Sequence, residues 1–349
     1  MTFGWEQASS PVSKAVAIEM AKIASRFGLT VLDTARIYSE GESEPMVGAC
    51  LEALQNDESV STMKVTTKAH PSQPGGLSPR GLEAQLMDSL KAMNVKRVDE
   101  FYLHQPDTEC SLESTLEKTN ELVDRGLIGS IGMSNYHGTE VQRAVDICDK
   151  YGWVRPSVYQ GLYNPLNRRV ETELLPTLKH NNIKFIAFNA LAAGLLTGKH
   201  ASQDSDSVMS GRFKNNPNYL PRFYTKANFK AVSDISDALE YHGKGETMIE
   251  ATYDWLLHHS QLGPNDGILI GASGVEQLES TLSAIGRSLN KSPKHTNDQV
   301  MTACEKAWDT VIGSKEGDGF AYWRGYSKDH PNAKDLDQGA AYAAHGPKK

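Results

Sequence analysis

The sequence has few cysteines, and none of them has a partner at short spacing. The 349 residues contain only four, at Cys50, Cys110, Cys148 and Cys304. Disulfide frameworks and zinc sites need cysteines that recur at short, regular intervals. The spacing therefore favours neither, and we expect a chain without a metal that works in a reducing compartment, the cytoplasm.

Blocks of basic residues and long apolar runs are also missing. The net charge is −7, from 36 Lys and Arg against 43 Asp and Glu. A nucleic-acid-binding surface needs clustered positive charge, and a membrane-spanning helix needs about 18 apolar residues or more in a row. The N-terminus has no basic start followed by an apolar run, as a secretory signal would. We expect neither nucleic acid nor membrane as a partner.

No G-x-G-x-x-G motif follows a strand-like run, so a Rossmann-type dinucleotide site is not predicted. Instead, short apolar and β-branched runs alternate with amphipathic stretches. The eight predicted strands are Met1–Trp5, Thr30–Tyr38, Met63–Ala69, Val98–His104, Ile128–Ser134, Ser157–Leu162, Lys184–Ala190 and Gly267–Gly271. The predicted helices between them are Val12–Phe27, Ser78–Met93, Leu112–Arg125, Thr139–Tyr151, Val170–His180 and Val275–Ile285.

This alternation predicts a parallel sheet covered by helices. Eight repeats favour an α/β fold of the closed (β/α)8 TIM barrel type, with an open doubly wound sheet as the alternative. We assign residues 1–325 to the barrel, with an extra C-terminal helix and a long polar loop at Lys199–Ala227 beside the expected cofactor. Residues 326–349 are polar and rich in Gly, Ala and Lys, which predicts a flexible tail.

Titratable side chains end three consecutive predicted strands. Asp33 and Tyr38 follow the second strand, Lys68 ends the third and His104 ends the fourth. Each has an ordinary explanation: a helix cap, a packed ring, a solvated strand end, a hydrogen-bonded core histidine. Together they would meet in one cavity, because active sites of such barrels lie at the carboxyl ends of the strands. An Asp–Lys pair there would avoid the cost of burying single charges.

These four residue types suit the reduction of a carbonyl group. A lysine ammonium favours the ionised form of a nearby phenol and so lowers its pKa, which would make Tyr38 a usable general acid. Asp33 would hold Lys68 charged, and His104 would align the substrate carbonyl. Since protein side chains supply no hydride, a redox cofactor is required.

At these residues the sequence resembles the aldo-keto reductase superfamily. Leu32-Asp33-Thr34-Ala35-Arg36-Ile37-Tyr38, Thr67-Lys68 and Tyr102-Leu103-His104 match its Asp, Tyr, Lys and His tetrad in order and spacing. The resemblance implies that NADPH lies extended across the barrel mouth. By the same resemblance, the cofactor contacts are Ser134, Asn135, Gln160, Phe188, Asn189, Leu191, Gly194, Leu195, Lys199, Arg212, Gly271, Ser273 and Gln277.

The nearest likeness within the superfamily is to the aflatoxin-aldehyde reductase branch. The segments that carry it are Val158–Asn164, Val170–Leu174, Gly194–Lys199, Gly211–Phe213 and His258–Leu262. In that branch, residues that match Tyr219, Arg222 and Arg324 contact the substrate. With His104, they are the expected substrate contacts here, and Trp5 and His70 are expected in the pocket wall.

The sequence departs from the family pattern in three places that matter. Met1–Trp5 begins inside the first strand of the family, so its N-terminal hairpin is expected to be missing. The usual Lys-Ser pair and Arg that bind the 2′-phosphate are replaced by Gly271, Ala272 and Gln277, and Thr281 stands where an Asn is frequent. The expectation of NADPH, with NADH possible, therefore rests on Lys199, Arg212 and backbone groups near a helix N-terminus. A homodimer is an open possibility by analogy with the branch.

Two other functions compete with a reductase. The β subunits of ion channels share this fold and keep the cofactor site, so a regulatory NADPH-binding subunit with little turnover is the alternative. A barrel lyase or isomerase without a redox cofactor is a second rival. NADPH consumption in the presence of aldehydes would separate the first rival from a reductase, and NADPH binding would exclude the second.

Overall fold

The computed structural model describes residues 3–4, 12–199, 220–291, 298–314 and 321–333. Within these ranges the sheet has seven strands: β1 (Val31–Asp33), β2 (Lys64–Ala69), β3 (Val98–Leu103), β4 (Ile128–Ser134), β5 (Val158–Leu162), β6 (Lys184–Phe188) and β7 (Gly267–Ile268). The α-helices are α1 (Lys14–Arg26), α2 (Ser43–Gln55), α3 (Pro79–Met93), α4 (Leu112–Asp124), α5 (Gly138–Tyr151), α6 (Val170–Glu173), α7 (Leu175–His180), α8 (Leu220–Phe223), α9 (Lys226–His242), α10 (Met248–Asp254), α11 (Val275–Leu289) and α12 (Asp298–Ile312).

The strands lie side by side in the order in which they occur along the chain, β1 to β7, and each neighbouring pair is parallel. A doubly wound sheet would reverse its strand order at a switch point, and no such reversal occurs among these seven strands. The sequential order places the carboxyl ends of β1, β2 and β3 next to one another. The residues that end these strands are thereby brought together.

The strands are buried because helices cover them. All five residues of β5 are buried, as expected for a parallel strand with both faces covered. On the helices one face is apolar: α1 buries Ala17, Met20, Ala21 and Ala24. Serine side chains cap the starts of α3 and α4, where Ser78 accepts from the Gly81 amide and Ser111 from the Ser114 amide. The predicted start of a helix at Ser78-Pro79 is confirmed.

Several predicted boundaries differ from the structure. The strand predicted over Thr30–Tyr38 ends at Asp33, and a 3-10 turn spans Tyr38–Gly41, so Tyr38 lies on a turn after the strand. The helix predicted over Val170–His180 is divided into α6 and α7. Pro176 explains the division, because proline cannot donate the backbone hydrogen bond that a continuous helix needs.

The predicted loop Lys199–Ala227 is partly wrong. Residues 200–219 lie outside the described ranges, but Leu220–Phe223 is helical and α9 begins at Lys226, capped by Thr225. Of the predicted first strand only Phe3 and Gly4 are described, and Phe3 forms a single parallel bridge with Val12. No helix in the described part of the chain is both long and apolar enough to span a membrane.

The end of the chain packs on the body of the fold beyond residue 325. Ser327 is 2% exposed, and the Lys328 amide donates to the carbonyl oxygen of Asp107 at 3.1 Å. Contacts with the body of the fold thus continue at Ser327, Lys328 and Asp329, past the residue at which the flexible tail is predicted to begin. Residues 334–349 lie outside the described ranges.

Candidate active site

A buried ion pair joins the ends of β1 and β2. The Lys68 ammonium lies 2.7 Å from both carboxylate oxygens of Asp33 and donates to the Thr34 carbonyl oxygen at 2.8 Å. Lys68 is 1% exposed. Burial lowers the pKa of Lys68, and the carboxylate of Asp33 acts in the opposite direction. Asp33 therefore supplies the charge that keeps an ammonium stable at this depth.

Tyr38 and His104 lie beside this pair. The Lys68 nitrogen is 5.3 Å from the centre of the Tyr38 ring. The rings of Tyr38 and His104 meet edge to face, with their centres 5.6 Å apart. All four residues of the predicted tetrad thus come from neighbouring strand ends and share one region of the fold, which is what proton transfer to a bound carbonyl requires.

His104 is held in its neutral form. Burial lowers the pKa of His104 well below its ordinary value, and the neighbouring His70 and Lys68 add to the effect. His70, expected in the pocket wall, packs edge-on against His104 with ring centres 5.1 Å apart, and burial lowers the pKa of His70 to about 4. A neutral imidazole is both a donor and an acceptor of hydrogen bonds. His104 is thus able to donate to a carbonyl oxygen without carrying charge.

The expected nicotinamide residues cluster at the ends of β4 and β5. Ser134 and Gln160 are paired in the sheet register and are nearly fully buried. The side-chain amide of Asn135 donates to the Ser134 hydroxyl at 3.0 Å and to the His104 carbonyl oxygen at 2.8 Å. The side-chain amide of Gln160 donates to the Asp33 carboxylate at 2.7 Å. Amide and hydroxyl groups of this kind suit a carboxamide, so these residues fit a nicotinamide.

The connection after β6 has a strained backbone. Asn189, Ala192 and Ala193 have φ of 55°, 47° and 58°, in the left-handed region that non-glycine residues rarely adopt. Such strain is typical of functional segments that the surrounding structure holds in place. Phe188 is half-buried at the end of β6, and Leu195 is fully buried, so Leu195 offers no exposed surface to a ligand in this structure.

Other expected cofactor residues lie around this connection and before α11. Leu191 and Gly194 are half-buried in the strained connection, and Lys199 is exposed at its end. Ahead of α11, Gly271 is exposed. The amide and hydroxyl of Ser273 both donate to the Gln277 side chain, at 2.7 and 2.8 Å. The amino end of α11 carries backbone N–H groups of the kind that bind anions.

The expected substrate residues are only partly described. Trp5 and Tyr219 lie outside the described ranges, as does the expected cofactor residue Arg212. Arg222 lies in α8, where its carbonyl oxygen accepts from Asn228 at 3.3 Å. The backbone of Arg324 reaches the site, because its amide donates to the Asn135 carbonyl oxygen at 2.9 Å.

A second buried carboxylate, next to β2, was not predicted from the sequence. Glu44 of α2 is 0% exposed, accepts from Thr67 at 2.8 Å and pairs with Arg36. Thr66 was also missed, and it donates to Asp33 at 2.8 Å. The position of Glu44 in the first turn of a helix looks in sequence like an ordinary helix-start residue. In the part of the chain that is described, no group of three or more His, Cys, Asp or Glu is arranged to hold a metal.

The charge pair and the two aromatic rings lie at the carboxyl edge of the parallel sheet. Enzymes of the strand–helix barrel class carry their active sites at this edge. The family model described as "Aldo/keto reductase family" matches residues 1–300, and the chain belongs to this family. It is an NAD(P)H-dependent oxidoreductase that acts on carbonyl compounds.

Among curated proteins, the chain is 40% identical over 292 residues to human aldo-keto reductase family 7 member A3, covering 81% of this chain and 86% of that protein. It is 38% identical over 292 residues to mouse aflatoxin B1 aldehyde reductase member 2, covering 81% of this chain and 77% of that protein. The likeness to the aflatoxin-aldehyde reductase branch is thereby confirmed.

Among solved structures, a thermostable aldo-keto reductase in complex with the inhibitor epalrestat superposes with a TM-score of 0.62 at 21% identity. The match covers 88% of this chain and 92% of that chain. At this identity the likeness shows the fold alone.

Proposed function

We propose that the chain reduces an aldehyde or ketone to an alcohol with NADPH, and that Tyr38 donates the proton. The observation that carries the proposal is the position of the Lys68 ammonium, 2.7 Å from Asp33 and 5.3 Å from the Tyr38 ring centre. A positive charge beside a phenol makes it a stronger acid. The names of the relatives, which include aldehyde reductases, support an aldehyde as substrate.

Each residue of the site has a separate task in this proposal. NADPH, when bound, supplies the hydride. Asp33 keeps Lys68 charged, and Lys68 raises the acidity of Tyr38. His104, neutral through burial, donates a hydrogen bond to the substrate oxygen and so orients the carbonyl carbon. Tyr38 gives its hydroxyl proton to the oxygen as negative charge develops there.

The cofactor contacts are proposed on the same basis. Ser134, Asn135 and Gln160 would hold the nicotinamide carboxamide. The strained connection that begins at Asn189 would follow the pyrophosphate, and the amino end of α11 would receive the adenosine phosphate. We further propose that the predicted strand Met1–Trp5 closes the sheet into a (β/α)8 barrel, with α12 as the extra C-terminal helix.

The proposal is tested by changing Tyr38 to Phe, which removes the hydroxyl and keeps the ring. We expect turnover to fall by about 10² or more, the usual contribution of a general acid, while the Kd for NADPH changes little. Turnover is followed by NADPH absorbance with a panel of aldehydes, and binding by NADPH fluorescence. A Tyr38→Phe enzyme as active as the wild type would show that another group supplies the proton.

A further inference from the structure

The last described part of the chain, residues 321–333, crosses the loops that follow β3 and β4, and we name it the C-terminal strap. The backbone of the strap forms hydrogen bonds with these loops at several points. The Arg324 amide donates to the Asn135 carbonyl oxygen at 2.9 Å, and the Lys328 amide donates to the Asp107 carbonyl oxygen at 3.1 Å. The strap is thus attached to the segments that follow both of these strands.

A buried carboxylate holds the middle of the strap. Glu140 in the first turn of α5 is 0% exposed, and its two oxygens lie 3.2 and 3.1 Å from the amide of Ser327, which is itself 2% exposed. Arg143 approaches the same carboxylate at 3.4 Å. Burying a carboxylate costs free energy unless hydrogen bonds compensate it. The strap supplies one of these hydrogen bonds through a backbone amide that is 187 residues away in sequence.

Further contacts fix the strap on either side of Ser327. Asp329 accepts from the Leu112 amide at 2.9 Å and pairs with Arg143. Upstream, Trp323 packs edge-on against His137, with ring centres 5.3 Å apart. Trp323 also packs against Tyr326, with ring centres 5.1 Å apart, and remains half-buried.

Hydrogen bonds connect the strap to the reaction centre. The Arg324 amide donates to the backbone of Asn135, and the Asn135 side chain donates to the carbonyl oxygen of His104 at 2.8 Å. Asn135 has a φ of 62°, a left-handed conformation that needs support from its surroundings. A shift of the strap would therefore reach Asn135 and, through it, the backbone of His104.

We propose that Glu140 is a positioning residue for the carbonyl substrate: it holds Ser327, and through the strap it fixes Trp323 and Arg324 beside Asn135. Glu140 contacts no reacting atom and acts through the strap alone. This inference rests on the proposed reductase function, and it assigns to that site a residue that controls how the substrate is held.

Two single variants test the contact from its two sides. Glu140→Ala removes the acceptor, and Ser327→Pro removes the amide donor while keeping the full chain. For each we expect the KM for an aldehyde to rise about tenfold, equivalent to about 1.4 kcal/mol, with kcat within about twofold of the wild type. Both variants remove the same contact between Ser327 and Glu140. The double variant should therefore show no larger rise in KM than either single variant.

Two further variants separate positioning from general damage. Glu140→Gln keeps an oxygen acceptor for the Ser327 amide and should restore a KM near that of the wild type. Glu83→Ala removes a carboxylate of α3 that pairs with Lys118 and Arg125 on the outer surface, and it should leave KM unchanged. Hydrogen exchange should show faster exchange of residues 321–333 in Glu140→Ala and in neither Glu140→Gln nor Glu83→Ala.

The outcomes distinguish this inference from the function on which it rests. If none of the aldehydes in the panel makes the wild type oxidise NADPH, the reductase function itself fails. If the wild type is active and Glu140→Ala keeps its KM, or if the two single effects add in the double variant, only the role of Glu140 is overturned. A fall in kcat with unchanged KM would likewise contradict a role in holding substrate.

Discussion

Asp33 receives hydrogen bonds from three side chains at once. Lys68, Thr66 and Gln160 all donate to its carboxylate, at 2.7, 2.8 and 2.7 Å. A buried ion pair of this kind adds little net stability over an apolar pair, but removing one partner leaves the other charge without compensation. The arrangement therefore serves to fix a charge next to Tyr38 more than to stabilise the fold.

Changing Lys68 to Met tests this view of the pair. The carboxylate of Asp33 would then be nearly buried without its cation, and we expect the free energy of unfolding to fall by about 3–5 kcal/mol together with most of the turnover. Adding Asp33→Asn should restore much of the stability and none of the turnover. Urea unfolding and NADPH absorbance measure the two effects. A Lys68→Met protein as stable as the wild type would contradict the electrostatic account.

Residues of the site differ in how far the sequence could predict them. Asp33, Lys68 and His104 each end an apolar strand, and a charge at that point is visible in the sequence. The contact of Asp33 with Gln160 spans 127 residues, and the burial of Glu44 depends on a helix that lacks a clear apolar periodicity. Contacts of this kind follow from the packing of the whole fold and leave no local pattern.

Strand β4 depends on a glycine where it faces its neighbour. Gly132 is paired with Tyr102 of β3, and a Cβ at Gly132 would lie 2.4 Å from the Tyr102 ring. The Tyr102 ring is in turn 5.4 Å from the Lys68 nitrogen. Two strands thus meet through a close contact that no larger residue permits, directly beside the charge pair.

Gly132→Ala should therefore destabilise the protein by about 1–3 kcal/mol, because the added methyl group overpacks a buried site. Turnover should also fall, since Tyr102 must move next to Lys68. Gly263→Ala is a matched control, because its nearest contact would be an ordinary 3.5 Å. Thermal unfolding compares the two. Equal melting temperatures for both variants would show that β3 and β4 accept the added methyl group at Gly132 without a loss of stability.

The strands were easier to predict than the helices. β2 to β6 fall within the predicted runs because buried parallel strands are continuous apolar segments. By contrast, α2, α8, α9 and α10 were not identified, and Pro176 divides a helix that apolar periodicity alone predicts as continuous. Periodicity indicates which residues face the core, while prolines and caps decide where each helix ends.

At the scale of the whole molecule, the C-terminal strap differs most from its prediction. Its polar composition favours a mobile segment, yet the Ser327 amide donates to Glu140 of α5, and Asp329 accepts from the Leu112 amide of α4. These contacts join residues nearly 200 positions apart, and composition carries no information about them. The strap is therefore known only from the structure.

Glu140 also predicts how the stability of the molecule depends on pH. Burial raises the pKa of Glu140 to about 7, against the opposing effects of Ser327 and Arg143. The folded state thus holds this proton more tightly than the unfolded state, and its contribution to stability falls as the pH rises from 4.5 to about 7. Glu140→Gln does not titrate. Its stability relative to the wild type should rise by up to about 3 kcal/mol between pH 5 and pH 8.

Urea unfolding at pH 5, 6, 7 and 8 measures this difference. Glu113→Gln, on the exposed surface of α4, is the control and should follow the wild type at every pH. Parallel curves for the wild type and Glu140→Gln would show that the buried carboxyl titrates as it does in water.

One amide group, that of Gln160, is engaged with the Asp33 carboxylate. A glutamine side chain carries a second N–H bond and an oxygen besides the N–H bond that Asp33 accepts. On the proposal that Gln160 also holds the nicotinamide, one side chain would therefore join the coenzyme to the Asp33–Lys68 pair. A substitution at Gln160 should then disturb coenzyme binding and the proton donor together.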